Sequence, residues 1–152
     1  MATTTLNAIR DSLIATIEGL DPSGKAWKRG KYAEGGKGFS WEVRERANYD
    51  RRFTVEDLKG GEPTFYGVTS ETDYNGSVII RIGHKITDDR KASIERRDTD
   101  LQQIRQNLEK MGNFPTGVSI VRLGSQESVE FREIGYWLTN QVFNLHFTLA
   151  SV

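Results

Sequence analysis

The chain contains no cysteine, so a disulfide framework, a thiolate nucleophile and a zinc–thiolate site are all excluded, and the fold must stand on packing and hydrogen bonds. Histidine is almost as scarce. His84 and His146 are too few for a multi-histidine metal centre, have no motif-spaced serine or acid, and fall on strand patterns, so both read as structural. Net charge is also missing: 21 Lys plus Arg balance 21 Asp plus Glu, leaving no global field to drive nonspecific binding to nucleic acid or an anionic membrane. Recognition by charge must then be local. No stretch approaches the roughly 18 apolar residues of a membrane helix. The opening Met1 to Thr5 lacks the basic start and apolar core of a signal peptide, so a soluble, cytoplasmic protein is expected.

What is present is hydrophobic periodicity. With 152 residues, 36% of them hydrophobic, the chain suits one α+β domain spanning residues 1–152. Leu6, Ile9, Leu13, Ile17 and Leu20 recur at spacings of three and four, one face of an amphipathic helix, which Thr4 or Thr5 can cap and which Gly19 and Asp21-Pro22 end. From Ser23 to Gly38 the pattern collapses into a Gly/Lys-rich arm with five glycines, five basic residues and one acid. Its Trp27 and Tyr32 have no local core to enter, so it reads as a surface flap or as a segment that orders against a neighbour.

Strands are expected around Phe39 to Val43 and Phe53 to Val55. A hairpin follows, closed by a type I′ turn at Asn75-Gly76 and continued by Val78, Ile80 and Ile82. Asp88 to Asp98 reads as a charged, irregular segment. A second helix then opens on a Thr99/Gln102 capping box, carries Leu101, Ile104, Leu108 and Met111, and stops at Gly112. Three more strands are expected: Val118 to Leu123, Val129 to Glu133, and a last one from about Asn140, where Phe143, Leu145, Phe147 and Leu149 alternate with Asn144, His146 and Thr148. The architecture this predicts is an antiparallel or mixed sheet with two amphipathic helices on one face, leaving strand surface and edges for another subunit.

Chemical motifs are weak. GKYAEGGK (Gly30 to Lys37) fails as a phosphate-binding loop, because Gly36 stands where lysine is needed, Gly38 follows Lys37, and no apolar strand precedes it. Asp50, Asp57 and Lys59 could serve a metal-dependent nuclease, with carboxylates on the ion and lysine on the developing charge, but in a chain with 28% charged residues such triplets arise by chance. Nucleic-acid-binding modules leave marks that are absent here, so an adaptor reading rests on the basic arm alone.

Taken together, the opening helix, the arm, RRFTVEDL (Arg51 to Leu58), SVIIRIGHKI (Ser77 to Ile86), DTDLQQIRQNLEKMG (Asp98 to Gly112) and VEFREIGYWLTNQVFNLHFTL (Val129 to Leu149) resemble the tail terminator or tail-completion proteins of long-tailed bacteriophages. The resemblance implies a structural virion protein of the tail or neck, assembled in the host cytoplasm, with no catalytic residue, metal or cofactor. It implies a homo-oligomeric ring, typically hexameric, that caps the tail tube protein, ends polymerisation and meets a head-tail connector or stopper protein. DNA would pass through without being read.

A head-to-tail ring needs two complementary surfaces. The arm (Trp27, Lys28, Arg29, Lys31, Tyr32) is nominated as one and the charged segment (Arg90, Lys91, Arg96, Arg97) as the other. The wet face of the last strand, Asn144, His146 and Thr148, is uncharged and would suit a channel lining.

Overall fold

The structure, a computed structural model, describes residues 3–20, 28–29, 51–60, 63–66, 71–110, 112, 114–132 and 135–150. The elements run α1 (Leu6–Glu18), β1 (Lys28–Arg29), β2 (Arg51–Lys59), β3 (Pro63–Tyr66), β4 (Glu71–Lys85), α2 (Arg90–Leu108), β5 (Val118–Phe131) and β6 (Tyr136–Ala150). The fold class is α+β as expected. The sheet has the order β1-β2-β4-β6-β5, with β3 pairing β4 beside it. It is mixed, because β1 pairs parallel to β2 while every other ladder is antiparallel.

Thr5 caps α1 by accepting from the Ala8 amide at 3.1 Å, and Gly19 closes it in right-handed geometry. Its Ile9, Leu13 and Ile17 are fully buried. They join Leu101, Ile104 and Leu108 of α2 over one face of the sheet, where Phe53, Val55, Val78, Ile80, Ile82, Val118, Val121, Phe143, Leu145 and Phe147 complete the core. The period-two stripe of β6 is therefore core, as its alternation implied, although the strand begins at Tyr136. The partners of β6 set the register: Val78 opposes Phe143, and Leu123 opposes it from the other side.

Four expectations are corrected. Asn75-Gly76 is no hairpin turn. It lies inside β4, which pairs continuously with β6 from Glu71↔Ala150 to Lys85↔Tyr136. Gly76 serves close approach instead, since a Cβ there would lie 2.2 Å from the Lys59 carbonyl oxygen and 2.7 Å from the Phe147 ring. The charged stretch after Asp88 is helical: Asp89 caps α2 by accepting from the Ala92 amide at 3.0 Å, and Thr99 and Gln102 fall inside the helix. The two strands expected between Val118 and Glu133 are one, β5, with register shifts between Val118 and Ile120 and between Leu123 and Ser125. A turn at 132–135 joins it to β6, with Gly135 at φ +70°. The strand expected at Phe39 to Val43, Met111, and most of the arm lie outside the described residues. Within the arm, Lys28–Arg29 is strand rather than loop.

Candidate functional site

Two polar places stand out, one inside the fold and one on the sheet face that no described helix covers. Along the inner face the apolar rows give way to polar ones beneath the first half of α2. Arg51, His84 and Trp137 share one cross-strand row, and Thr139 and Gln141 occupy the following inward positions. Asp100 descends from α2 into this region. Its Oδ2 accepts from Arg51 Nε at 2.5 Å and lies 3.1 Å from His84 Nε2, with all three side chains almost completely buried. Burial holds the His84 imidazole below its ordinary value, against the opposing hydrogen bond and charge of Asp100. His84 is therefore neutral near pH 7 and donates from Nε2. Gln141 Nε2 donates to the Leu101 carbonyl at 3.2 Å and to Gln126 Oε1 at 2.7 Å. Among the described residues the nearby hydroxyls are engaged: Ser93 with Thr87 and the Asp89 carbonyl, and Thr139 with Ser128. The trio fastens helix to sheet.

The outer face is different. No described helix covers it, and it contains a groove of about 490 Å³ lined by Lys59, Asn75, Gly76, Ser77, Arg122, Asn144, Leu145 and His146. Register explains its composition. Lys59 opposes Ser77, Ser77 opposes Asn144 and Asn144 opposes Arg122, so four strands contribute one polar row; Asn75 opposite His146 forms the next.

Lys59 reaches this face through a bulge. Asp57 takes φ +50°, in the left-handed region that aspartate tolerates, and the register shifts between Glu56 and Lys59. The added residue turns Leu58 into the core and gives the outward position opposite Ser77 to Lys59. Asn75 Oδ1 and His146 Nδ1 lie 2.9 Å apart, and Arg122 Nη1 donates to the Val121 carbonyl at 2.8 Å. Of the wet face expected from β6, Asn144 is exposed and His146 half-buried, whereas Thr148 is buried and donates to Asp73 Oδ1 at 2.5 Å.

The nominated interface residues divide. Trp27, Lys31 and Tyr32 lie outside the described residues; Lys28 and Arg29 form β1, opposite Arg52 and Phe53. Arg90, Lys91, Arg96 and Arg97 stand on α2 rather than on a loop. Arg90 is held within the subunit by a bidentate pair with Glu130, 2.8 Å on each arm, which raises its own pKa and lowers that of the Glu130 carboxyl. Arg90 and Arg97 also lie over the Trp137 ring, 5.7 and 5.0 Å from its centroid. Lys91 and Arg96 have no acidic partner among the described residues.

Of the nuclease set, Asp50 lies outside the described residues. Asp57 forms the bulge and Lys59 the groove wall, and among the described residues no three His, Asp or Glu cluster as metal ligands. Sequence reasoning singled out neither Arg51 and Asp100 of the buried trio nor, in the groove, Arg122. The only signal of Arg122 is the outward position between Val121 and Leu123.

No family model and no curated protein matches the chain. Its fold is similar to that of a chain in the virion of native gene transfer agent (GTA) particle, with a TM-score of 0.59 over 97% of this chain and 99% of that one. At 7% identity, the likeness is one of fold.

Proposed function

We propose that this chain is a structural virion protein whose copies close into a ring, six being the expected number, on the end of a tail tube. The ring would stop polymerisation of the tube protein and offer its other face to a head-tail connector or stopper, with DNA passing through the centre unread. The observation that carries this reading is the end-to-end fold likeness to a virion chain, which spans nearly the whole of both chains rather than a shared motif. The tail-terminator strings in the sequence support the finer assignment.

Physically, a ring is a head-to-tail contact that closes, so two unlike surfaces must meet. The arm, with Trp27, Lys28, Arg29, Lys31 and Tyr32, is proposed as one. On α2 the role falls to Lys91 and Arg96, because Arg90 and Arg97 already have partners within the subunit. Val129 and Phe131, the exposed large hydrophobics near the end of β5, add apolar area suited to burial against a neighbour.

Negative-stain electron microscopy of the purified protein, alone and mixed with tail tubes, tests the reading. Rings with a central channel, or caps on tube ends, are expected. Tubes that stay bare and continue to grow in excess protein would overturn it, and magnesium-dependent DNA cleavage abolished by Asp57→Ala would replace it with the nuclease reading.

A further inference from the structure

Lys59 and Arg122 flank the groove on the face that no described helix covers. Both are exposed, and neither has a carboxylate partner among the described residues. Among the described residues, the groove lining contains no Asp or Glu. Between the two cations lie the Ser77 hydroxyl and the Asn144 amide, in the same cross-strand row, and the Asn75–His146 pair beside them. Arg122 is steadied through Nη1 on the Val121 carbonyl, which leaves its other N–H groups for an anion.

Spacing narrows what that anion can be. Lys59 is on β2 and Arg122 on β5, with β4 and β6 between them. Three interstrand steps of about 4.8 Å set the two backbones on the order of 14 Å apart along the sheet. A single carboxylate or phosphate meets both cations only if the two long side chains lean inward together, whereas an anion with charges repeated along its length meets each where it stands. Among the described residues, the walls offer no ring for a base to stack on apart from the His146 imidazole. Charge at the rims, with Ser77 and Asn144 as donors beside carbon-rich surface from Gly76 and Leu145 and no further ring among the described residues, suits a backbone rather than bases.

We propose that this groove is a sequence-independent contact for the phosphodiester backbone of nucleic acid. It belongs to one subunit and does not depend on ring formation. The contact is weak by construction, since two cations release few counterions, and weak, unspecific contact is what passing DNA tolerates.

Fluorescence anisotropy with labelled duplexes of two unrelated sequences, at 50 and 200 mM NaCl, tests it on the full chain. Both duplexes should bind alike. Lys59→Gln and Arg122→Gln should each weaken binding several-fold at the lower salt and lower the slope of log affinity against log salt by about one. Millimolar inorganic phosphate should compete poorly, because it lacks the repeated charges and the counterion release of a polyanion. Both positions are exposed, so circular dichroism of the variants should match the parent. Unchanged affinity and slope in the Lys59→Gln/Arg122→Gln double variant would overturn the proposal, as would absence of binding by the parent at 50 mM. Tighter binding of poly-glutamate than of DNA would reassign the groove to an acidic protein. Sedimentation of the same samples reports assembly separately, so DNA binding without rings, or rings without DNA binding, tells the two readings apart.

Discussion

Asp100 shows how much a single side chain can hold. Its carboxylate sits 1% exposed between Arg51 and His84, tying α2 to β2 and β4. Asp100→Ala would leave Arg51 buried without that counter-charge, and chemical denaturation should show a loss of roughly 3 kcal/mol. His84 gives the same region a pH signature. Its folded-state pKa is depressed by burial below the ordinary 6.5, so between that folded value and about 6.5 the unfolded chain binds more protons than the native one. The stability held by neutral His84 is therefore complete above about pH 6.5 and falls as pH is lowered. Midpoints of urea unfolding measured from pH 7.5 to 5 should decline in the parent, and the decline should flatten in His84→Gln.

At the scale of elements, bulges and close approaches decide which face each residue serves. The extra residue at Asp57 sends Leu58 inward and Lys59 outward, and that one irregularity builds a wall of the groove. Gly76 lets β2, β4 and the Phe147 ring converge. Gly76→Ala, whose new methyl would meet the Lys59 backbone, should cost about 2 kcal/mol and lower the melting temperature by several degrees.

These are also the places where sequence patterns misled. Asn-Gly is the commonest hairpin signal, yet the same glycine is required wherever another backbone crowds a strand, and only the partner strand reveals which applies. The first half of α2 was hidden for a related reason. Ser93 and Asp100 occupy buried positions that an amphipathic helix ordinarily gives to apolar residues, so no stripe announces the turns before Leu101.

At the scale of the molecule, the two described helices cover one face of the sheet while the other carries the Lys59–Arg122 groove and the exposed Val129 and Phe131. If copies close into a ring, that apolar pair is a natural place for burial between them. Phe131→Glu should then leave the secondary structure intact and reduce ring mass in light scattering to that of smaller species; unchanged mass would place Phe131 outside the contact. Ring closure and nucleic-acid contact draw on separate residues, so variants at Phe131 should leave the salt dependence of DNA binding unaltered per subunit.

The amino-acid sequence by itself determined the two amphipathic helices, the strand character of β2, β4 and β6, and the burial of Phe143, Leu145 and Phe147, because hydrophobic periodicity is a local property that burial reads directly. It also excluded thiolate chemistry and any strong global field. Only the tertiary structure decided that Arg51, His84 and Asp100 meet, that Arg90 and Arg97 stack over Trp137, and that Lys59 and Arg122 face one groove. Such juxtapositions join residues as much as 63 positions apart, from Lys59 to Arg122. They follow from strand order and bulge placement, which no local period encodes.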